Sequence, residues 1–168
     1  MSSTDAEAQR EALAEDLQEF VYGTITALVV ISALNAEHPP TARNAAVVIL
    51  GTAIATWLAH SFSSVIGVHV RKQRPPSRGE IVATSRRSWR VVTAALPATG
   101  LLVLAGADWI SVSTALDIAT ALAIVALVAV AVVAARRSGF NAFGVLLYTL
   151  TATAIGLVIA AMEVAIHH

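Results

Sequence analysis

The stretch AAVVILGTAIATWLAHSFSSVIGVHV, residues 45–70, runs for 26 residues without an Asp, Glu, Lys or Arg. A helix needs about 20 such residues to cross roughly 30 Å of hydrocarbon, so this stretch is long enough to span a membrane. Inside it, WLAHSFSS (57–64) sets an imidazole and three hydroxyls among apolar side chains. The length of the run sets the fold class, and His60 raises the question of function.

The whole chain has the same character. It has 168 residues, 57% hydrophobic and 13% charged, with mean hydropathy +0.73. Soluble domains carry about 25% charged residues. There is no cysteine, which excludes disulfides, thiolate metal sites and a cysteine nucleophile.

Four further apolar runs cover approximately 20–35, 91–107, 114–135 and 143–166. The expected fold is therefore all-α, a polytopic membrane bundle of five transmembrane helices. The runs at 20–35 and 91–107 are short and must borrow flanking residues. Trp89 and Trp109 bracket the latter at about 30 Å along a helix, as interfacial aromatic belts require. Pro39–Pro40 and Pro75–Pro76 end helices, because proline lacks the amide and restricts the residue before it.

The net charge of zero hides an uneven distribution. Residues 1–19 hold six acids against Arg10, and residues 71–90 hold seven basic residues against Glu80. The expected organisation is an acidic amphipathic cytoplasmic helix over 1–19, followed by a five-span membrane domain over 20–168 with a basic cytoplasmic linker at 71–90. Thr4 with Glu7 reads as a capping box that starts the arm, and Leu13, Leu17 and Phe20 give it one apolar stripe. The acidic start is unlike the basic n-region of a signal peptide, so the first run reads as a retained helix. With the N-terminus inside, the inner segments carry ten basic residues and the outer ones only Arg43. The positive-inside rule then places the chain as a multi-pass protein of the inner (cell) membrane with its C-terminus outside.

An ionisable residue at membrane depth is costly, by about 2.5–3.5 kcal/mol on insertion scales, and marks a functional site by default. Thr52, Thr56, His60 and Ser64 follow i, i+4 steps, forming one polar stripe that faces protein. Tyr22 and Thr26 on the first run and Tyr148 on the fifth lie at comparable depth. The candidate polar pathway is Tyr22, Thr26, Thr56, His60, Ser64 and Tyr148, with hydroxyls as the imidazole's expected partners. The competing reading is that these groups bond helix to helix, while small residues such as Gly23 and Gly51 permit close approach. His69 faces away from His60 and completes no metal site with it. Asp117 and Glu163, near the outer ends of the fourth and fifth runs, form a candidate outer acidic site.

No enzyme motif, metal-ligand set or cofactor motif is present, so neither catalysis nor a cofactor is expected. The expected partners are the lipid bilayer, with anionic lipid at residues 71–90, and a second copy in a homo-oligomer. Nucleic acid is not expected.

VYGTITALVV (21–30) together with ATWLAHSF (55–62) resembles small integral membrane proteins of high-GC Gram-positive bacteria, a group to which no activity is attached. The layout of two spans, a linker and three spans is similar, in topology only, to the vacuolar iron transporter family. That similarity brings no ligand residue to this chain, whose linker is basic. The favoured functional reading is a small transporter or channel-like protein whose pathway includes His60. The alternative is a non-transporting scaffold or regulatory subunit that binds partners through its acidic arm and basic loop.

Overall fold

The computed structural model describes residues 3–36, 40–137 and, beyond them, 143, 144, 147, 150, 151 and 154. Five helices are delimited: α1 (Ser3–Ala36), α2 (Ala42–Lys72), α3 (Arg78–Ser88), α4 (Arg90–Gly106) and α5 (Val112–Arg137). No strand occurs among the described residues.

Helix α1 is continuous over 34 residues, so the acidic arm and the first apolar run are one element. Nothing between residues 10 and 36 breaks a helix, since the single glycine there is tolerated by tight packing (below). The apolar stretch long enough to cross a membrane begins at Ala12, inside the arm. A run of sixteen residues (20–35) would be too short alone. The helix is already formed at Ser3, which puts Thr4 within it and corrects the expectation that Thr4 caps it.

Helix α2 follows Pro40 and is capped by Thr41, whose hydroxyl accepts from the Asn44 amide at 3.3 Å. It ends at Gln73 in the left-handed region, φ 50°, with Gln73 Nε2 donating to the Val70 carbonyl at 2.8 Å. His69 Nδ1 lies 2.9 Å from the Arg74 carbonyl oxygen, which assigns that histidine to the turn.

Residues 78–88, expected from their charge only as part of a linker, are helical. Their start is a capping box. The Ser77 hydroxyl accepts from the Glu80 amide, and the Glu80 carboxylate accepts from the Ser77 amide at 2.7 Å. Glu80 also accepts two bonds from Arg74, at 2.9 and 3.0 Å, which fastens the turn to the helix start. Trp89 stays in the right-handed helical region, φ −58°, so α3 leads into α4 with only a local interruption.

Helix α4 packs against α1, α2 and α5. The core where they meet includes Leu28, Ile31, Ile49, Leu102 and Leu116, all almost fully buried, set among alanines such as Ala45, Ala95 and Ala115. Small residues let helices approach closely where there is no aqueous driving force between them. The closest approach is at Gly23. A methyl group there would lie 2.7 Å from the Val91 Cα and 2.8 Å from its carbonyl oxygen.

The outward faces are apolar as well: Val47, Phe62, Val103 and Val125 are each more than 60% exposed. Four stretches are long and apolar enough to cross a membrane: Ala12–Leu34, Ala42–Val70, Arg78–Gly106 and Val112–Arg137. Only 22–33% of their most apolar windows is buried inside the protein, so the remaining apolar surface requires a nonaqueous surrounding. Four such helices are compatible with an integral, multi-pass membrane protein. The expected fifth run, 143–166, lies mostly outside the described residues.

Candidate functional site

Helices α1 and α2 run antiparallel around the Pro39–Pro40 connection. Glu19 lies 20 residues before Pro39 and His60 lies 20 residues after Pro40, so both stand at the same height. Their side chains meet: His60 Nε2 is 2.7 Å from Glu19 Oε1. Glu19 is the more enclosed partner, with 13% of its side chain exposed against 34% for His60. The other carboxylate oxygen, Glu19 Oε2, is buried without a hydrogen-bond partner among the described residues. The Tyr22 ring, one turn along α1, lies 5.8 Å from the imidazole and tilted by 39°.

The tight contact at Gly23 fixes this arrangement. Gly23 follows Glu19 by four residues, so the α1–α4 approach lies one turn above the carboxylate and leaves α1 little freedom to turn or slide. On the other side of the pair, α1 is tied by two ion pairs. Glu15 accepts from Arg87, and Asp16 accepts from Arg90 at 2.7 Å. The arm and the basic segment, opposite in charge, therefore face each other in one molecule. Trp57 joins the same layer: its indole Nε1 donates to the Ser85 carbonyl at 2.9 Å, and its ring stands edge-on to Trp89 at 5.1 Å.

Glu19, Tyr22 and His60 open onto a groove of about 930 Å³. Leu17, Val21 and Ile25 of α1 and Val130 of α5 form apolar walls, and Arg137 at the end of α5 stands at its edge. A volume of this size is within the range of small-molecule sites. Deeper in the bundle, Thr26 and Thr52 border a void of only about 10 Å³, roughly the room of one water. Beyond it lie Leu28, Ile31 and Ile49, and the polar stripe stops.

The expected pathway residues are therefore only partly brought together. His60 and Tyr22 adjoin each other, whereas Thr26 donates to its own helix, at the Tyr22 carbonyl, at 2.9 Å. Thr56 and Ser64 are partly exposed positions on α2, and neither bonds to His60. Tyr148 and Glu163 lie outside the described residues. Asp117 is exposed near the start of α5, at the opposite end of that helix from Arg137. Hydroxyl partners for His60 were the expectation. Among the described residues the partner is a carboxylate, because serine and threonine in a helix satisfy their hydroxyls on the carbonyl four residues back. Thr24, Thr99 and Thr120 do the same.

Glu19 is the functional candidate that charge counting overlooked, since it read as one more acid of the arm. No group of three or more metal-ligating side chains occurs among the described residues. Comparison with family models, curated proteins and solved structures yields no match. The site itself therefore carries the functional argument.

Proposed function

We propose that the chain is a small transporter or channel-like membrane protein whose polar pathway begins at the Glu19–His60 pair. The observation that carries this reading is a buried carboxylate oxygen without a donor, beside an imidazole, at the head of a 930 Å³ groove. An unpaired buried acceptor is costly unless it has a use, and a carboxylate–imidazole pair can take up and release a proton in the physiological range. On this reading the groove is the open side. The apolar layer of Leu28, Ile31 and Ile49 is the closed side, which a second conformation opens. Five spans in the inner membrane, the N-terminus and groove facing the cytoplasm and the C-terminus outside, belong to the same proposal. Its support is the ten-to-one bias of basic residues. The proposal involves no catalysis.

The scaffold alternative draws on the closed apolar core. Against it, Glu15 and Asp16 of the arm already have partners within the chain. The deciding experiment is a liposome flux screen over protons and monovalent and divalent cations, at several pH values. Flux whose pH dependence disappears in His60→Ala and in His60→Asn supports the pathway. A folded protein with no flux under any gradient, and a His60→Ala assembly defect that Asn repairs, makes the residue an interhelical contact. Orientation is read separately. An impermeant thiol reagent on intact cells should label Arg43→Cys and spare Ser77→Cys.

A further inference from the structure

A second groove of about 930 Å³ lies between the start of α1 and the continuous face of α3 and α4. Arg78, Val82 and Arg86 follow one another at i, i+4 and i+8, and Trp89, Arg90 and Thr93 carry the same face into α4. Four arginines line it against one acid, Asp16. Two of the four are already neutralised, Arg87 by Glu15 and Arg90 by Asp16. Arg78 and Arg86 have neither a hydrogen bond nor an ion pair among the described residues. They stand about 12 Å apart along the helix axis, near enough for their long side chains to converge. Between them Val82 is 64% exposed, and Trp89 at the membrane end of the face is 45% exposed.

We propose that this groove seats one anionic phospholipid, its phosphate held between Arg78 and Arg86 and its apolar part against Val82 and Trp89. Guanidinium groups match phosphate oxygens in forked geometry, and the two free cations leave an uncompensated positive charge that attracts them. Charge alone would admit any anion. An exposed valine between the arginines and a tryptophan at the headgroup level select a ligand that also has a hydrocarbon portion. The surface charge of an anionic leaflet would supply it. This inference rests on the cytoplasmic orientation proposed above. Lipid binding to solubilised protein has no sidedness, so its failure is distinct from failure of the labelling result or of flux.

The test uses full-length protein in mild detergent, titrated with phosphatidylglycerol and phosphatidylcholine of identical acyl chains. Bound lipid is counted by native mass spectrometry. The wild type should retain phosphatidylglycerol about tenfold or more over phosphatidylcholine, and Arg78→Gln/Arg86→Gln should lose about that factor. Arg43→Gln, at the far end of α2, should leave the preference intact. Both groove arginines are exposed, so folding is not threatened, and each single variant should show a smaller loss of the same sign. Val82→Ser should weaken phosphatidylglycerol retention while the arginines remain. Three results overturn the proposal: no preference in the wild type, a preference unchanged in the double variant, or displacement of the lipid by millimolar inorganic phosphate. Displacement by a poly-glutamate peptide would instead mark the groove as a site for an acidic protein.

Discussion

Glu19 on α1 and His60 on α2 meet at 2.7 Å because each stands twenty residues from the proline pair that joins their helices. The pair is asymmetric: one carboxylate oxygen takes the imidazole and the other is buried with no partner. Glu19→Gln keeps an oxygen that can accept from the imidazole and removes the charge. It should leave the helical content and elution profile unchanged and abolish the pH dependence of any flux. With His60 one-third exposed, the Glu19–His60 coupling energy should not exceed about 1 kcal/mol. A double-mutant cycle with His60→Gln, read by unfolding in detergent, measures it. A coupling several times larger would show that the pair chiefly holds the bundle together.

Gly23 separates close packing from mere glycine content. A Cβ at this position would meet backbone atoms of Val91 at 2.7 and 2.8 Å, and backbone cannot swing aside. Gly23→Ala should therefore push α1 from α4 and destabilise the protein by about 1–3 kcal/mol, the usual cost of overpacking. Gly51 and Gly100 have open space where their Cβ would stand. Alanine at either should be neutral or slightly stabilising, through its better helix propensity. Thermal unfolding of the three variants in one detergent checks both halves, and equal melting temperatures would show that the α1–α4 contact yields.

Those contrasts indicate what the sequence alone makes legible. Apolar run lengths are a direct property of composition, so the helices through residues 45–70, 91–107 and 114–135 could be read off, as could the role of Trp89 as a boundary. Charge blocks 1–19 and 71–90 were likewise visible, but their secondary structure was not. Helix α3 depends on one local signal, Ser77 with Glu80 three residues on, which is easily lost among arginines. The Glu19–His60 contact needed a further step. Antiparallel helices on a short connection bring together residues equidistant from it, and counting outward from Pro39–Pro40 would have found Glu19. Periodicity on α2 alone could not, because it orders residues around one helix and says nothing about height on the next. The hydroxyl stripe misled for the complementary reason: threonines can satisfy themselves on their own helix, as Thr26 does on Tyr22.

The arm's attachment should be weak and salt-dependent. Arg87 with Glu15 and Arg90 with Asp16 are all between one-third and about one-half exposed, and exposed pairs contribute at most about 1 kcal/mol each. Charge reversal at both ends of one pair, Asp16→Arg with Arg90→Asp, should restore what either single change removes. The coupling should vanish near 1 M salt, where screening reaches only about 3 Å. Unfolding cycles at 0.1 and 1 M salt provide the comparison. A coupling that persists at high salt would mean that the arm is held mainly by its apolar stripe of Leu13 and Leu17.

Trp57 gives the α2–α3 hairpin its strongest single tie, because one side chain supplies both a hydrogen bond to Ser85 and an edge-on ring contact with Trp89. Trp57→Phe removes the donor and keeps an aromatic ring, so it should lose about 1 kcal/mol, the usual net value of one hydrogen bond. Trp57→Ala removes both and should lose about 2–5 kcal/mol. The first variant leaves the Ser85 carbonyl still engaged within its helix, which limits the cost. The effect on α3 should exceed the effect on the bundle, since α3 packs mainly on α2 while α4 also packs on α1 and α5. Amide hydrogen exchange resolves the two. Residues 78–88 should exchange faster in both variants, with 95–105 little changed. Uniform loss of protection across α3 and α4 would show that they unfold as one helix and that Trp89 marks no joint between them.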